Sequence, residues 1–147
     1  MGDANKALVS RFYDEIWNNG NFAAADDLVA DDYVRHDLRP GDAPPGPAGQ
    51  KAVAAGFRAA FPDVRLVVDA LVAEGDLVVA RWTITGTHTG PWGAVAATGR
   101  RVRFCGVNFF RFADGMIAEI WNVRDDLGLR EQLGADVYAG YPDQPED

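Results

Sequence analysis

Two long runs of alternating apolar and polar residues in the second half of the chain restrict the possible fold most strongly. One run covers residues 64–88 and turns at the Glu-Gly-Asp of 74–76, and the other covers 100–123 and turns at the Ala-Asp-Gly of 113–115. A short glycine-containing loop between two runs of period two is typical of a β-hairpin. The sequence therefore predicts four strands joined as two antiparallel hairpins.

The first third of the chain has a helical period instead. Apolar residues gather on one face over 3–18, and shorter helical patterns follow over 22–29 and 50–61. Between the second and third helices, DDYVRHDLRP is predicted to be extended and to end at Pro40, and the proline- and glycine-rich stretch 41–49 is predicted to be a loop. Helices that precede an antiparallel meander are typical of an α+β domain, in which three helices cover one face of a curved sheet.

The size and the charge of the chain exclude several classes of protein. Its 147 residues, 48% of them hydrophobic, suffice for one domain, which we predict at 1–135 with a flexible acidic tail at 136–147. The formal net charge of −8 argues against nucleic-acid and anionic membrane partners. A single cysteine excludes an intrachain disulfide. Without a signal-peptide core or a run of about 20 apolar residues, the expected location is cytoplasmic.

Three polar residues interrupt the strand faces that should meet the helices, namely His88, Asn108 and Asn122. An unpaired buried polar group costs about 1 to 3 kcal/mol, so each of them needs a partner or a ligand. Polar groups that converge in an apolar concavity are typical of a small-molecule pocket. We predict a pocket for a small apolar or aromatic ligand, lined by Trp82, Phe104, Asn108, Phe110, Ile120 and Asn122.

Four stretches of the chain carry a family resemblance. RWTITGTHTG, TGRRVRF, FRFADGMIAEIWN and DDLGLREQLGA resemble the SnoaL-like polyketide cyclases of the nuclear transport factor 2-like superfamily, and the similarity extends over about residues 5 to 135. The resemblance implies a cone-shaped α+β fold and a cofactor-free intramolecular aldol closure of a polyketide ester in a deep apolar cavity. Relatives with this fold also include hydroxylases, hydrolases, isomerases and plain binding domains, so the fold alone does not fix the reaction.

The chain departs from the family at the expected catalytic position. In the family, an aspartate that acts as general acid and base follows the tryptophan of a Glu-x-Trp-Asp run, and a histidine commonly precedes that tryptophan. Those positions hold Asn122 and Ile120 here, and an inward histidine of some cyclases aligns with Asn108. A carboxamide has no accessible basic form, so Asn122 can orient a substrate or stabilise charge but cannot remove a proton from carbon.

Three further residues are candidates for proton transfer. His36 is expected to point inward from YVRHD on the side of Val34, and its ordinary pKa near 6.5 makes it the first candidate for a base. His88 lies where a strand gives way to a glycine-rich loop, so it either reaches the pocket or fixes the turn. Asp125 lies between a strand and a helix, where capping the helix competes with a catalytic role.

Two tryptophans complete the candidate site. Trp82 would belong either to the core or to a surface that stacks on an aromatic ligand, and Trp92 follows Pro91 in a loop, where it is a candidate lid. No familiar metal-ligand spacing, phosphate loop or dinucleotide motif occurs, so no cofactor and no metal are expected.

The outer face of the sheet is predicted to be apolar as well, which favours a homodimer packed sheet against sheet through Val79, Val107, Phe109, Trp121 and Val123. The leading functional interpretation is an enzyme that acts on a polyketide-derived aromatic substrate, as a cyclase. The alternatives are a hydroxylase of the same fold and a non-catalytic binding protein or a hydrolase or isomerase of another apolar metabolite.

Overall fold

The N-terminal third is helical, but its first helix changes hydrogen-bond pattern midway. In the computed structural model, which describes residues 2–37 and 43–136, α1 spans Gly2–Arg11 and continues as a π-helical segment, Phe12–Asn18. The π-helical segment buries two adjacent pairs of side chains, Phe12 with Tyr13 and Ile16 with Trp17. The predicted helix over 3–18 is therefore present, with an α-helical first part followed directly by a π-helical second part.

Two further helical pieces precede and follow the first strand. A 3-10 turn, Phe22–Ala24, leads into α2, Ala25–Leu28, and α3 spans Pro47–Ala60 after Gly46, whose φ is +77°. The loop prediction for 41–49 is wrong from Pro47 onward. Proline suits the first position of a helix, because its fixed φ is already helical and its missing N–H would have had no partner there.

Within the described residues, five strands form one mixed sheet in the order β1-β5-β4-β3-β2. β1 pairs in parallel with β5, and the remaining neighbours pair antiparallel, so the two predicted hairpins and the α+β fold class are confirmed. α4 (Asp126–Leu133) follows the last strand directly. The strand bounds are Val29–Asp37 for β1, Arg65–Glu74 for β2, Leu77–Thr87 for β3, Arg101–Ala113 for β4 and Met116–Arg124 for β5.

The predicted inner faces of β3 and β4 are confirmed, since every second residue along both strands is buried. Phe110 packs edge-on against Phe12 and Tyr13 of the π-helical segment, with ring centroids 5.4 and 5.7 Å away. Phe104 packs against Trp82 and Phe57 at 6.1 and 6.4 Å. The core therefore lies between the helices and the inner face of the antiparallel strands.

The predicted orientation of β1 is wrong. Tyr33 is buried and the Arg35 side chain is only 7% exposed, whereas Val34 and His36 are exposed. The pairing of β1 with β5 shifts register between Val29 and Val34, which moves the following residues to the opposite face. His36 therefore points outward, and Asp37 joins Tyr33 and Arg35 on the inner side.

Two predicted features of the chain lie largely beyond the described residues. The predicted end of the extended run at Pro40 and all but the first residue of the predicted tail at 136–147 lie outside the described residues. Among the helices of the described ranges, none combines the length and the hydropathy that a bilayer crossing requires.

Candidate functional site

A small cavity lies between the π-helical segment, α3 and the inner face of the sheet. Its volume is about 10 Å³, enough for one water molecule, and about 250 Å³ when its open mouth is included. Trp82, Asn108 and Asn122 line it as predicted, whereas Phe104, Phe110 and Ile120 are buried in the surrounding core. The full lining consists of Tyr13, Trp17, Arg35, Phe57, Leu66, Trp82, Ile84, Asn108, Asn122 and Arg124.

A carboxylate on the neighbouring strand is the hydrogen-bond partner of Asn122. Parallel pairing of β1 with β5 sets Asp37 directly beside Asn122, and Asn122 Nδ2 donates to Asp37 Oδ1 over 2.8 Å. The second oxygen, Asp37 Oδ2, accepts from Arg35 Nε at 2.9 Å. The buried amide is therefore satisfied by an acid that stands one strand away from the position expected in the family.

Arg35 remains charged in this arrangement. Burial by itself would lower the pKa of Arg35, but the adjacent charge of Asp37 and the neighbouring Tyr33 outweigh that effect, so the pKa lies above its ordinary value. The Asp37 side chain is 25% exposed, and it is the more accessible partner of the pair. Arg35 therefore places a buried cation in the cavity wall, and Asp37, which is not itself a lining residue, is bonded to the lining residues Arg35 and Asn122.

Two buried tyrosines contribute neutral hydroxyls. Asn108 Nδ2 donates to the Tyr13 oxygen at 2.8 Å, and the Tyr33 hydroxyl donates to Gln50 Oε1 at 3.0 Å. Burial raises the pKa of Tyr13 well above its ordinary value and raises the pKa of Tyr33 to about 12. Both phenols therefore serve as hydrogen-bonding groups rather than as bases near neutral pH.

A second arginine closes the wall of the cavity at the end of β5. Arg124 Nε donates to Asp126 Oδ1 at 2.6 Å, and its guanidinium lies 5.0 Å from the centre of the Phe57 ring. The ion pair and the ring contact together fix the arginine against the cavity, because a guanidinium is attracted to the face of an aromatic ring.

The two histidines lie away from the cavity. His36 Nε2 is 2.8 Å from Glu119 Oε2, and the imidazole stacks on Trp121 on the outer face of the sheet. His88 is fully buried, its Nδ1 accepts from the Thr98 backbone N–H at 3.2 Å, and burial lowers the pKa of His88. The role that the structure gives His88 is to tie the loop to the end of β3.

Asp125 and Trp92 also lie outside the cavity wall. Asp125 is exposed and its Oδ1 accepts from the Gly128 N–H at 2.9 Å, so it is the N-cap of α4. The ring centroids of Trp92 and Phe57 are 6.3 Å apart, and the Arg130 guanidinium lies 5.7 Å from the centre of the Trp92 ring. These contacts hold the loop against α3 and α4.

Sequence reasoning missed Asp37, Arg35 and Trp17. The signal that marks the first two is Tyr33, the aromatic residue of DDYVRHD, because a large aromatic ring is the better guide to the buried side of a short strand than a valine. Residues two and four positions after Tyr33 then share its face.

The described residues contain no cluster of side chains suited to hold a metal ion. Within 2–37 and 43–136, no group of three or more His, Cys, Asp or Glu side chains is arranged to hold an ion. The absence of a cofactor remains a prediction from the sequence.

Several solved structures resemble this fold closely. TsrD from Streptomyces laurentii is 31% identical with a TM-score of 0.83, over 91% of this chain and 97% of that one. AclR from Streptomyces galilaeus, a proposed hydroxylase, is 32% identical with a TM-score of 0.76, over 88% and 94%. IdmH from Streptomyces antibioticus, a proposed polyketide cyclase, is 31% identical with a TM-score of 0.74, over 88% and 98%.

The family assignment rests on sequence as well as on structure. A search of curated protein sequences gives no significant match. The family model of the SnoaL-like polyketide cyclases, however, matches residues 7–133, which include every helix and strand except the start of α1. This protein therefore belongs to the SnoaL-like polyketide cyclase family.

Proposed function

We propose that this protein is a cofactor-independent enzyme that closes a ring in a polyketide-derived aromatic substrate, with Asp37 as its general base. The observation that carries the proposal is the hydrogen bond that Asp37 accepts from Asn122, a residue of the cavity wall. Asn122 is then a positioning residue, because its amide holds the carboxylate that its own side chain cannot replace.

The surroundings of Asp37 suit proton abstraction. A carboxylate offers about four lone-pair positions, so the bonds from Asn122 and Arg35 leave acceptor capacity for a substrate proton. The two bonds also fix the direction of both oxygens, which is the orientation that general base catalysis requires.

The proposed step is an intramolecular aldol closure that balances without any co-reactant. The Asp37 carboxylate takes a proton from a carbon next to a carbonyl, and the electron pair moves toward the carbonyl oxygen. The nucleophilic carbon then forms a bond to a second carbonyl carbon of the same molecule. The oxygen of that second carbonyl receives the proton back from Asp37, which regenerates the carboxylate.

Substrate binding requires the cavity to widen, because its enclosed volume is that of one water molecule. Trp17 lies on the π-helical segment and packs on Phe57 with ring centroids 5.4 Å apart. A π-helical segment that interrupts an α-helix often occurs at a functional site. We assign the widening to Trp17 and Phe57, whose rings separate to admit a planar ligand.

One observation favours a second candidate function. The similarity to AclR, a proposed hydroxylase, spans 88% of this chain at 32% identity. A hydroxylase would add an oxygen atom to its product, whereas ring closure leaves the composition of the substrate unchanged. Mass spectrometry of the product therefore separates the two candidates.

The proposal is tested by incubating the protein with anthraquinones that bear an open keto-ester side chain and analysing the products by chromatography and mass. We expect ring closure by the wild type and a loss of about 100-fold for Asp37→Asn, the size of a typical general base contribution. Asp125→Asn is the matched control, since asparagine caps a helix as well as aspartate does. Closure at the wild-type rate by Asp37→Asn would remove the proposed base.

A further inference from the structure

The cavity wall holds more hydrogen-bond donors than it can satisfy. Trp17 Nε1, Trp82 Nε1 and Arg35 Nη1 are buried and have no hydrogen-bond partner in the described part of the chain. All three residues line the same cavity, and the one fully buried acceptor without a partner among the lining residues described is Asn108 Oδ1. The Tyr33 hydroxyl donates to Gln50, and its oxygen accepts from the Arg35 guanidinium, whose Nη1 nevertheless has no partner within the described residues.

This imbalance identifies the kind of group that belongs in the cavity. Each buried donor without a partner costs about 1 to 3 kcal/mol, so a fold does not retain three of them without a compensating contact. One water molecule accepts two hydrogen bonds and could therefore satisfy two of the donors at most. An oxygen that carries negative charge accepts three or more and draws stronger bonds from each donor.

We propose that Trp17, Trp82 and Arg35 form an oxyanion-binding subsite that takes the enolate or phenolate oxygen of an aromatic ligand. The proposal rests on the proposed function, because it assigns the carbonyl oxygen of that substrate to these donors. The subsite also defines the chemical class of the ligand, which must present an oxygen that is ionised or becomes ionised during the reaction.

Arg35 connects this subsite to the proposed base. Its Nε donates to Asp37, while its Nη1 has no partner among the described residues, and the residue lines the cavity. When a proton moves from the substrate carbon to Asp37, negative charge leaves the carboxylate and appears on the substrate oxygen. The guanidinium is adjacent to both positions, so it stabilises the charge before and after the transfer without moving.

The test compares two ligands of nearly equal shape by calorimetry at neutral pH. The probe is 2-hydroxy-1,4-naphthoquinone, which is ionised under these conditions, and its neutral counterpart is 2-methoxy-1,4-naphthoquinone. We expect the ionised quinone to bind about tenfold more tightly, as one charge-assisted hydrogen bond would give. Equal affinities, or no binding of either ligand, would overturn the proposal.

Variants assign the preference to the subsite. Trp82→Phe should reduce the preference by about fivefold and leave binding of the methoxy compound nearly unchanged, because phenylalanine keeps the ring and removes the N–H. Trp17→Phe is a second variant with the same expectation in case Trp82→Phe folds poorly. Trp121→Phe on the outer face is the matched control. A preference that survives both cavity substitutions would contradict the assignment.

The failure of this inference is distinguishable from the failure of the proposed function. Asp37→Asn should lose ring closure yet keep the preference for the ionised quinone, because the substitution removes a negative charge and leaves the three donors in place. Ring closure that depends on Asp37 without an oxyanion preference would overturn the subsite alone. An oxyanion preference without closure by the wild type would support the subsite and overturn the proposed reaction.

Discussion

Asn122 and Asp37 form a pair in which the amide cannot be exchanged for a second acid without charge repulsion. The amide nitrogen donates to the carboxylate over 2.8 Å, and both side chains stand on adjacent strands in direct register. Restoring the aspartate expected in the family at position 122 would set two carboxylates in that place. Like charges this close cannot both ionise at ordinary cost, so one of them would keep its proton.

We therefore expect Asn122→Asp to destabilise the protein by about 2 kcal/mol at pH 8. The folded variant has a raised carboxyl pKa and binds more protons than its unfolded chain, so the deficit relative to wild type should shrink as the pH falls toward 5. Urea unfolding at pH 8 and at pH 5 measures the difference in the free energy of unfolding between the variant and the wild type. Asn21→Asp is the control, as Asn21 is exposed and gains the same charge without a facing acid. A deficit that does not change with pH would argue against the carboxylate pair.

At the scale of secondary structure, local alternation predicted β3, β4 and β5 well because one face of each is apolar and the hairpin turns are short. It failed for β1, whose residues on both sides are polar or charged and whose pairing is with a strand more than 80 positions away in sequence. The register shift between Val29 and Val34 has no local signal. Arg35 and Asp37 could therefore be placed on the inner face only by taking Tyr33 rather than Val34 as the guide, whereas apolar alternation was enough to place Asn108 and Asn122.

The position of Trp82 in the cavity wall depends on a glycine of the neighbouring strand. Gly106 faces Trp82 in the β3–β4 pairing, and a Cβ at Gly106 would lie 2.7 Å from Trp82 Cη2 and 2.7 Å from the Val123 carbonyl oxygen. A real Cβ does not tolerate such contacts, so either the indole or the strand must shift. The absence of a side chain at Gly106 therefore keeps the indole against the sheet.

Gly106→Ala should accordingly lower the free energy of unfolding by about 1 to 3 kcal/mol, the usual cost of overpacking, and weaken the preference for the ionised quinone. Thermal unfolding and calorimetry measure the two effects. Gly56→Ala in α3 is the matched control, because its Cβ would meet open space, and it should stabilise the helix by about 1 kcal/mol. If Gly106→Ala left the free energy of unfolding and the ligand preference unchanged, the indole would not be held in this way.

At the scale of the whole molecule, the outer face of the sheet carries an apolar patch that crosses neighbouring strands. Phe109 is paired with Val79 on one side and with Trp121 on the other, and Val107 is paired with Val123. Phe109 is 42% exposed and Val123 is 50% exposed in the single chain. We propose that a second copy of the chain covers this patch, since contiguous apolar surface of this kind is typical of an interface.

Phe109→Glu should dissociate such a dimer, because a charge at the centre of an apolar contact is left without a partner. Sedimentation at micromolar concentration should give a dimer for the wild type and a monomer for the variant. Leu127→Glu is the control, as Leu127 is 51% exposed on α4 and the same change there should leave the assembly intact. A wild type that sediments as a monomer would exclude the interface.

The central claim is that Asp37 removes a proton from carbon, and hydrogen exchange on a simple enolisable ketone tests it most directly. In D₂O, nuclear magnetic resonance follows deuterium uptake at the C2 position of 1-tetralone, an aromatic ketone that needs no ring closure. The wild type should accelerate uptake, Asp37→Asn should reduce the acceleration by about 100-fold, and His36→Gln on the outer face should leave it unchanged. Equal uptake rates for the wild type and Asp37→Asn would contradict the claim.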